Sequence, residues 1–358
     1  FGKLRYGSAD SDPSVQLSDI YLEGTVRATP ALSFTATIKH DPEQLEPVDI
    51  VEGYVRYRPV STSPWRWSVK AGAFFPPISF ENNEIGWTSS YSITPSAINS
   101  WIGEELRSVG VEGELEWRSM DRTISLVGSI YGWNDPAGIL LAMRGWGMTD
   151  RVTGVFDTIR LTDFFANRIG ADIPLLEYEV LEIDERPGWY AGLQWEERNG
   201  VRFRLMRYDN RADPAATEKN QTAWWTPFWS AGAEFPIGEW LVIMQGMKGH
   251  TDVDIRGTRY LATDFSSAFV LATRDVGDVR LTGRAEWFRT DETVNGTGQG
   301  RKEEGHALTF AASWFVHEHV RLSAETIYLT ANRPERLGAG LDPDSEEVQT
   351  QFSVQFKF

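Results

Sequence analysis

Apolar and polar residues alternate in short runs along almost the whole chain. The final stretch, EEVQTQFSVQFKF, puts Val348, Phe352, Val354, Phe356 and Phe358 on one side, with Thr350 as the polar member. Glu347, Gln349, Gln351, Ser353, Gln355 and Lys357 fall on the other. A period of two belongs to a strand, because successive Cβ atoms point to opposite faces. The same pattern predicts strands at Val15–Thr29, Ala31–His40, Ile50–Arg58, Trp65–Phe74, Arg107–Arg118 and Arg122–Gly132. After a long irregular region it resumes in pairs: Gly188–Glu197 with Gly200–Asp209, Thr222–Phe235 with Glu239–Gly249, Thr258–Asp275 with Asp278–Arg289, and Gly305–His317 with His319–Thr330. With the short Phe1–Gly7 and the final strand, the expected number is about sixteen.

The connections alternate in length. Short ones fall at 29–30, 59–64, 120–121, 198–199, 237–238, 276–277 and 318. Longer polar ones fall at 8–14, 41–49, 75–106, 133–187, 210–221, 250–257, 290–304 and 331–346. Sorting of this kind trims one end of a barrel and elaborates the other, as in transmembrane barrels with short periplasmic turns and long extracellular loops. A soluble sandwich, the other home for such strands, has no reason to sort its loops. The fold expected is all-β: one transmembrane antiparallel β-barrel domain across residues 1–358.

Composition fits this. There are 15 Trp, and Trp65, Trp67, Trp117, Trp133, Trp189, Trp195, Trp240, Trp287 and Tyr328 lie near strand ends, where interfacial girdles need them. Mean hydropathy is only -0.35, as it is when half of each strand faces water. No apolar run reaches the length of a membrane helix. The net charge of -16 argues against nucleic acid as a partner. Without cysteine there is neither a disulfide frame nor a thiolate metal site. The chain opens on Phe1 with no basic and apolar leader, as expected of a mature exported protein.

The third long connection, FPPISFENNEIGWTSSYSITPSAINSWIGEEL, is expected to fold into the barrel as a constriction loop, with Glu81, Glu84, Glu104 and Glu105 at the narrowest point. From Ala71 onward the chain resembles the phosphate-selective porin O/P family at Gly72, Pro76, Phe80-Glu81, Arg107 and Gly110-Val111. The resemblance covers roughly 40 residues, and elsewhere the strand pattern agrees. It implies an outer-membrane porin, assembled as a trimer, with Phe358 serving as a C-terminal aromatic assembly signal. The departure is chemical: no Lys or Arg stands between 75 and 106, whereas phosphate-specific members line their pores with basic residues.

Strand parity assigns Arg56, Arg58, Arg66, Lys70, Arg202, Arg204, Arg280 and Arg284 to the lumen, because a lipid-facing Arg or Lys at the midplane costs about 2–4 kcal/mol. One expectation is a basic inner wall facing the acidic loop across a gap. The other is that these cations pair with inward Glu52, Glu112, Glu114, Glu196 and Glu286 and stiffen the wall. In 133–187, Val152, Val155, Phe156 and Ile159 suggest a helix begun at Thr149 or Asp150 and stopped at Gly170.

Catalysis and metal binding find little support. The histidines of HEH at 317–319 sit in a turn, NGTGQG at 295–300 lacks a strand–loop–helix setting, and His306 falls on the apolar parity. Asp342, Asp344, Glu346 and Glu347 could hold Ca²⁺, but a solvated acidic loop accounts for them. The expected function is a passive diffusion channel for small hydrophilic solutes, without a cofactor, in outer-membrane lipid and lipopolysaccharide. Two alternatives stay open: a channel selective for phosphorylated or carboxylated nutrients, and a plugged structural or adhesive barrel.

Overall fold

The structure is a computed structural model that describes residues 15, 18–160, 176–255, 258–294 and 300–358. Among these, fifteen strands form one sheet: β1 (Ile20–Arg27), β2 (Leu32–His40), β3 (Val48–Tyr57), β4 (Trp65–Phe74), β5 (Ser108–Arg118), β6 (Arg122–Gly132), β7 (Gly188–Glu197), β8 (Arg202–Asp209), β9 (Pro227–Ile237), β10 (Trp240–Ile255), β11 (Thr258–Val276), β12 (Val279–Val294), β13 (Gly300–His317), β14 (Val320–Asn332) and β15 (Asp344–Phe356). Each is hydrogen-bonded to its chain neighbours in an antiparallel meander from β1 to β15. The expected strand Phe1–Gly7 and loop 8–14 lie outside the described residues.

Residue parity divides the two faces as the pattern requires. On β15, Val348, Phe352, Val354 and Phe356 are exposed, while Gln351 turns inward to Thr94 Oγ1 at 2.7 Å. Leu22, Val26, Val111, Leu126, Ile130, Phe203 and Phe310 continue the outer apolar surface on other strands. Trp65, Trp67, Trp133, Trp189 and Trp240 are also exposed on that side. The opposite face wraps around the 75–106 segment, which touches both edges of the sheet. Gly86 lies against the Tyr21 ring of β1, and Glu84 Oε1 meets Lys357 Nζ just past β15 at 2.8 Å.

Several boundaries differ from the sequence-based expectation. β10 to β13 run on through most of what was expected to be loop at 250–257 and 290–304. β11 has 19 residues, against the ~9–11 that a tilted membrane strand needs. The extension has a second apolar cluster to pack on: Val253 and Leu261 join Ile139, Leu140, Met143, Ile159 and Trp224. β9 begins at Pro227 rather than Thr222, because Ala223 and Trp224 are buried in the preceding loop. The expected helix from Thr149 is not formed. Residues 149–157 are without regular structure and 158–160 form a short strand paired with 176–178. Residues 161–175, where that helix was to continue, lie outside the described residues. The helices seen are α1 (Ala97–Glu105) and α2 (Ile139–Arg144).

Two glycines test the register. Gly72 of β4 has φ 140°, and a Cβ there would sit 2.7 Å from Tyr54 Cα. Gly24 of β1 has nothing within 4 Å of its missing Cβ. Gly72→Val is expected to cost at least the ~1–3 kcal/mol of a strained backbone and to cut the yield of heat-modifiable folded barrel on gels. Gly24→Ala is expected to leave that yield unchanged or to stabilise by about 0.5–1 kcal/mol.

Candidate functional site inside the barrel

One side chain fastens the 75–106 segment to the wall. Arg284, on the inward parity of β12, has no exposed side-chain surface. Its Nη1 is 2.8 Å from Glu81 Oε1 and its Nε is 2.9 Å from Glu286 Oε1. The remaining donors reach the carbonyls of Thr94 (2.9 Å) and Pro95 (3.2 Å) and the hydroxyls of Ser92 and Thr309. The acids are satisfied in turn by the start of α1. Glu81 Oε2 accepts from Ser96 Oγ at 2.6 Å and Asn99 Nδ2 at 2.7 Å, and Glu286 Oε2 accepts from Ala97 N at 2.8 Å. Glu325 of β14 accepts from the amides of Ile93 and Thr94. Carboxylates at a helix N-terminus meet its free amides and its positive end, so the wall charges fix where α1 begins.

A second layer lies over α1, all nine residues of which are buried. Arg144 of α2 pairs with Glu104. Glu105 accepts from the amides of Leu140 (2.7 Å) and Gly138 (3.2 Å) and from Trp101 Nε1. Burial raises the Glu105 carboxyl to about 8, against those hydrogen bonds and the Arg144 charge. Residues 149–157 then cross to the opposite rim: Thr153 N bonds the Gly103 carbonyl, Lys39 Nζ the Val152 carbonyl at 2.7 Å, and Val155 N the Ile50 carbonyl. Arg107 sits 3.6 Å over the Phe75 ring, lowered to about 10 by burial. Aromatic rings fill the space below this layer. Tyr131 stacks on Tyr208, Tyr208 on Phe228, and Trp101 packs against Phe228, Phe265 and Trp146. Much of the interior is therefore an apolar core.

The wall of β3 to β5 and β8 differs, because its inward side chains are long, polar and partly exposed. Arg56 Nη2 meets Glu114 Oε2 at 3.0 Å and Lys70 Nζ meets Glu112 Oε1 at 3.0 Å. Arg58 and Arg118 share Glu116 at 3.6 and 2.6 Å. Arg66 stands opposite Glu116 in register, its Nε buried without a hydrogen bond. Arg202 pairs with Glu234, and Arg204 bonds Gln194 Oε1 and the Ser79 carbonyl; both guanidinium groups lie over Phe80, at 4.8 and 4.4 Å. Arg56 is 37% exposed, Arg58 43% and Glu114 31%, against 0% for Arg284.

Charge opposed across a gap is not the arrangement seen. Glu81 touches Arg284 directly. Glu104 and Glu105 turn to α2, away from the basic strands. Glu84 reaches Lys357 and Arg321, at the short-turn ends of β15 and β14. Arg280 is held by Asp275 at 2.7 Å and bonds the Ser90 carbonyl. Of the partners expected within the wall, Glu112, Glu114 and Glu286 hold cations, while Glu52 accepts from Phe75 N. Desolvation is the reason: a carboxylate pressed against a wall must find a partner there. Glu325, Arg144 and the aromatic row were missed. The run of small inward residues on β12 to β14 (Thr282, Ala307, Thr309, Ala311, Ser313, Ser323) was the available signal that another segment packs there.

No family model matches the chain, and no curated protein does. Solved structures do. A loop-deletion mutant of OmpT, an outer membrane protein of Vibrio cholerae, is similar at TM-score 0.53 and 9% identity, over 94% of this chain and 89% of its own. OmpT of Vibrio cholerae in a trimer form gives 0.51 and 11%, over 96% and 91%. The outer membrane channel DcaP of Acinetobacter baumannii gives 0.53 and 8%, over 95% and 84%. The fold is thus the β-barrel shared by these bacterial outer-membrane proteins.

Arg284→Ala would leave Glu81 and Glu286 buried without their cation, a loss of about 3–5 kcal/mol for a broken buried pair. The expected result is a lower unfolding temperature and new protease cleavage within 75–106. Arg284→Ala combined with Glu81→Gln is expected to lose less than the sum of the single changes.

Proposed function

We propose that this protein is a passive outer-membrane diffusion channel for small hydrophilic solutes and ions. The observation that carries the reading is the unequal interior. Opposite the wall sealed by α1, the ladder of Arg56, Arg58, Arg66 and Lys70 with Glu112, Glu114 and Glu116 keeps solvent exposure at Arg56, Arg58 and Glu114, inside a barrel whose outside is apolar. Solutes pass along that strip, where fixed charges replace part of an ion's hydration. The 75–106 segment acts as the constriction, held by Arg284 and Glu325. A trimer in lipid and lipopolysaccharide is the assembly that goes with this fold.

Selectivity for phosphorylated or carboxylated solutes rests on the family resemblance and on Arg202 and Arg204 beside Phe80. Arg202 is taken by Glu234 and Arg204 by Gln194, so a bound anion would have to compete. A plugged structural barrel is favoured by a different observation, the apolar core over α1. Conductance in planar bilayers separates the three. Steady current without block by inorganic phosphate supports diffusion, block by phosphate supports selectivity, and silence supports the plug. In a salt gradient, Arg56→Ala with Arg58→Ala and Arg66→Ala is expected to move the reversal potential toward cation preference. Those changes leave Glu114 facing the path uncompensated and Glu116 with Arg118 alone. An unmoved reversal potential would place conduction elsewhere.

A further inference from the structure

The described part of 133–187 carries two acids that the channel reading does not use. Residues 176–178 pair with 158–160 as a small hairpin strand, fastened through Gln221 to both the amide and the carbonyl of Tyr178. Tyr178 is exposed, while Glu177 and Glu179, two residues apart on the opposite parity, are 2% and 1% exposed. Glu177 Oε2 and both carboxylate oxygens of Glu179 are buried without a hydrogen bond. The charged groups that face them are Glu104 and Glu105 of α1 and Arg144 of α2. Arg144 is paired with Glu104, its Nη1 3.2 Å from Oε1 and its Nη2 on Oε2, while its Nε is buried without a hydrogen bond and its charge offsets only part of the burial of Glu179. Glu105 is held by amides. The three carboxyls of Glu105, Glu177 and Glu179 therefore share one side of a dry layer with no free cation among the described residues to balance them.

A carboxylate without partners in such a place is held as the neutral acid or is not held at all. We propose that the layer formed by α2, residues 149–157 and the 176–179 strand is a proton-operated lid. It seats on α1 while Glu177 and Glu179 are neutral and lifts when they ionise. The consequence for solute flow rests on the channel reading; the movement itself does not. The sign follows from linkage. Burial raises Glu177 from its ordinary 4.5 to about 8, with Glu105 adding to it, and raises Glu179 in the same direction, with Glu105, Glu177 and Glu104 adding to it. The seated form binds the extra protons. Its advantage is full below the ordinary carboxylate range and is lost as pH climbs through about 8. The 149–157 strap is held by hydrogen bonds: its amides bond the Gly103 and Ile50 carbonyls, Lys39, Gln44 and Arg107 donate to its Val152 and Thr153 carbonyls, Phe156 N bonds Asp49, and Thr149 exchanges bonds with Ser100; water can replace these when the layer separates.

Hydrogen exchange of the intact protein in detergent, corrected for the intrinsic pH dependence, tests the lid between about pH 5 and about pH 9. Peptides from 139–157 are expected to lose protection as pH rises, by up to about tenfold per unit for each proton released. The barrel strands should not change. Glu177→Gln with Glu179→Gln keeps the shape of the neutral acids and is expected to hold the peptides protected across the range. Glu179→Gln alone should flatten the profile in part and serves if the double variant folds poorly. Protection in the parent protein that does not vary with pH overturns the proposal, as does a full pH dependence retained in a folded double variant. Single-channel records over the same range separate the two readings. A lid that lifts without any current leaves this proposal standing and removes the channel.

Discussion

The interior of this barrel is organised by one desolvated guanidinium. Arg284 faces Glu81 from the inserted segment and Glu286 from its own strand, and it also bonds the Thr94 and Pro95 carbonyls. Removing water from such a cluster is expensive, and the attraction offsets the cost only when every donor and acceptor is used. Here they are used, because the acids accept from Ser96, Ala97 and Asn99 at the start of α1. The same contacts that neutralise the wall thus position the helix. Once α1 is placed, Trp101 and Ile102 are buried with it, and Glu104 and Glu105 are presented to α2. The upper layer is seated on a helix whose own place was set from below.

This ordering explains why the charge pattern differs from one drawn across an open gap. Opposite charges separated by water would gain little, since water screens them. The inserted segment carries no Lys or Arg, so each of its acids draws on a donor from elsewhere. Glu81 takes Arg284, Glu104 takes Arg144, Glu84 takes Lys357, and Glu105 takes the first amides of α2. The polar wall follows the same rule. Its basic residues alternate in register with Glu112, Glu114 and Glu116, and neighbouring strands close those pairs. What reaches the lumen is a ladder of ion pairs with a small basic excess, at Arg66 and where Arg58 and Arg118 share Glu116.

The strands were legible because membrane barrels repeat one local rule. A residue on the wrong parity pays in lipid, so alternation is enforced along β1 to β15. The short turns were legible for the same reason. The inserted segments were not, because no period governs them. Val152, Val155, Phe156 and Ile159 have helical spacing, yet backbone bonds to Gly103 and Ile50 keep that stretch out of a helix, and α2 forms earlier in the chain, at Ile139–Arg144, where the Glu105 carboxyl accepts from its first turn. Tertiary partners of this kind lie 30 or more residues away and leave no mark in a local window. Parity placed the eight basic residues inward, while the partner of each depended on which segments filled the lumen.

The two halves of the wall perform different physical tasks, and their side chains differ accordingly. On β12 to β14 many inward positions are Thr, Ser or Ala, with the charged Arg284, Glu286, Glu292, Glu303 and Glu325 and the apolar Phe288, Ile327 and Leu329 among them. Small residues let α1 come close, and the few charges specify where it stops. On β3 to β5 and β8 the inward positions include Arg56, Arg66, Lys70, Glu112, Glu114, Glu116, Arg202 and Arg204, long side chains that reach past the backbone surface, with Arg56 and Glu114 staying wet. A barrel filled evenly would have to choose between a packed core and an aqueous lumen. This one divides the choice by strand: apolar packing on one side bears the stability of the inserted segments, and the ion-paired side is left free of that burden. The free energy of seating α1 is therefore separable from the electrostatics of the polar strip. Variation in the ladder of β3 to β5 can alter the charge of the polar strip without disturbing the pin at Arg284.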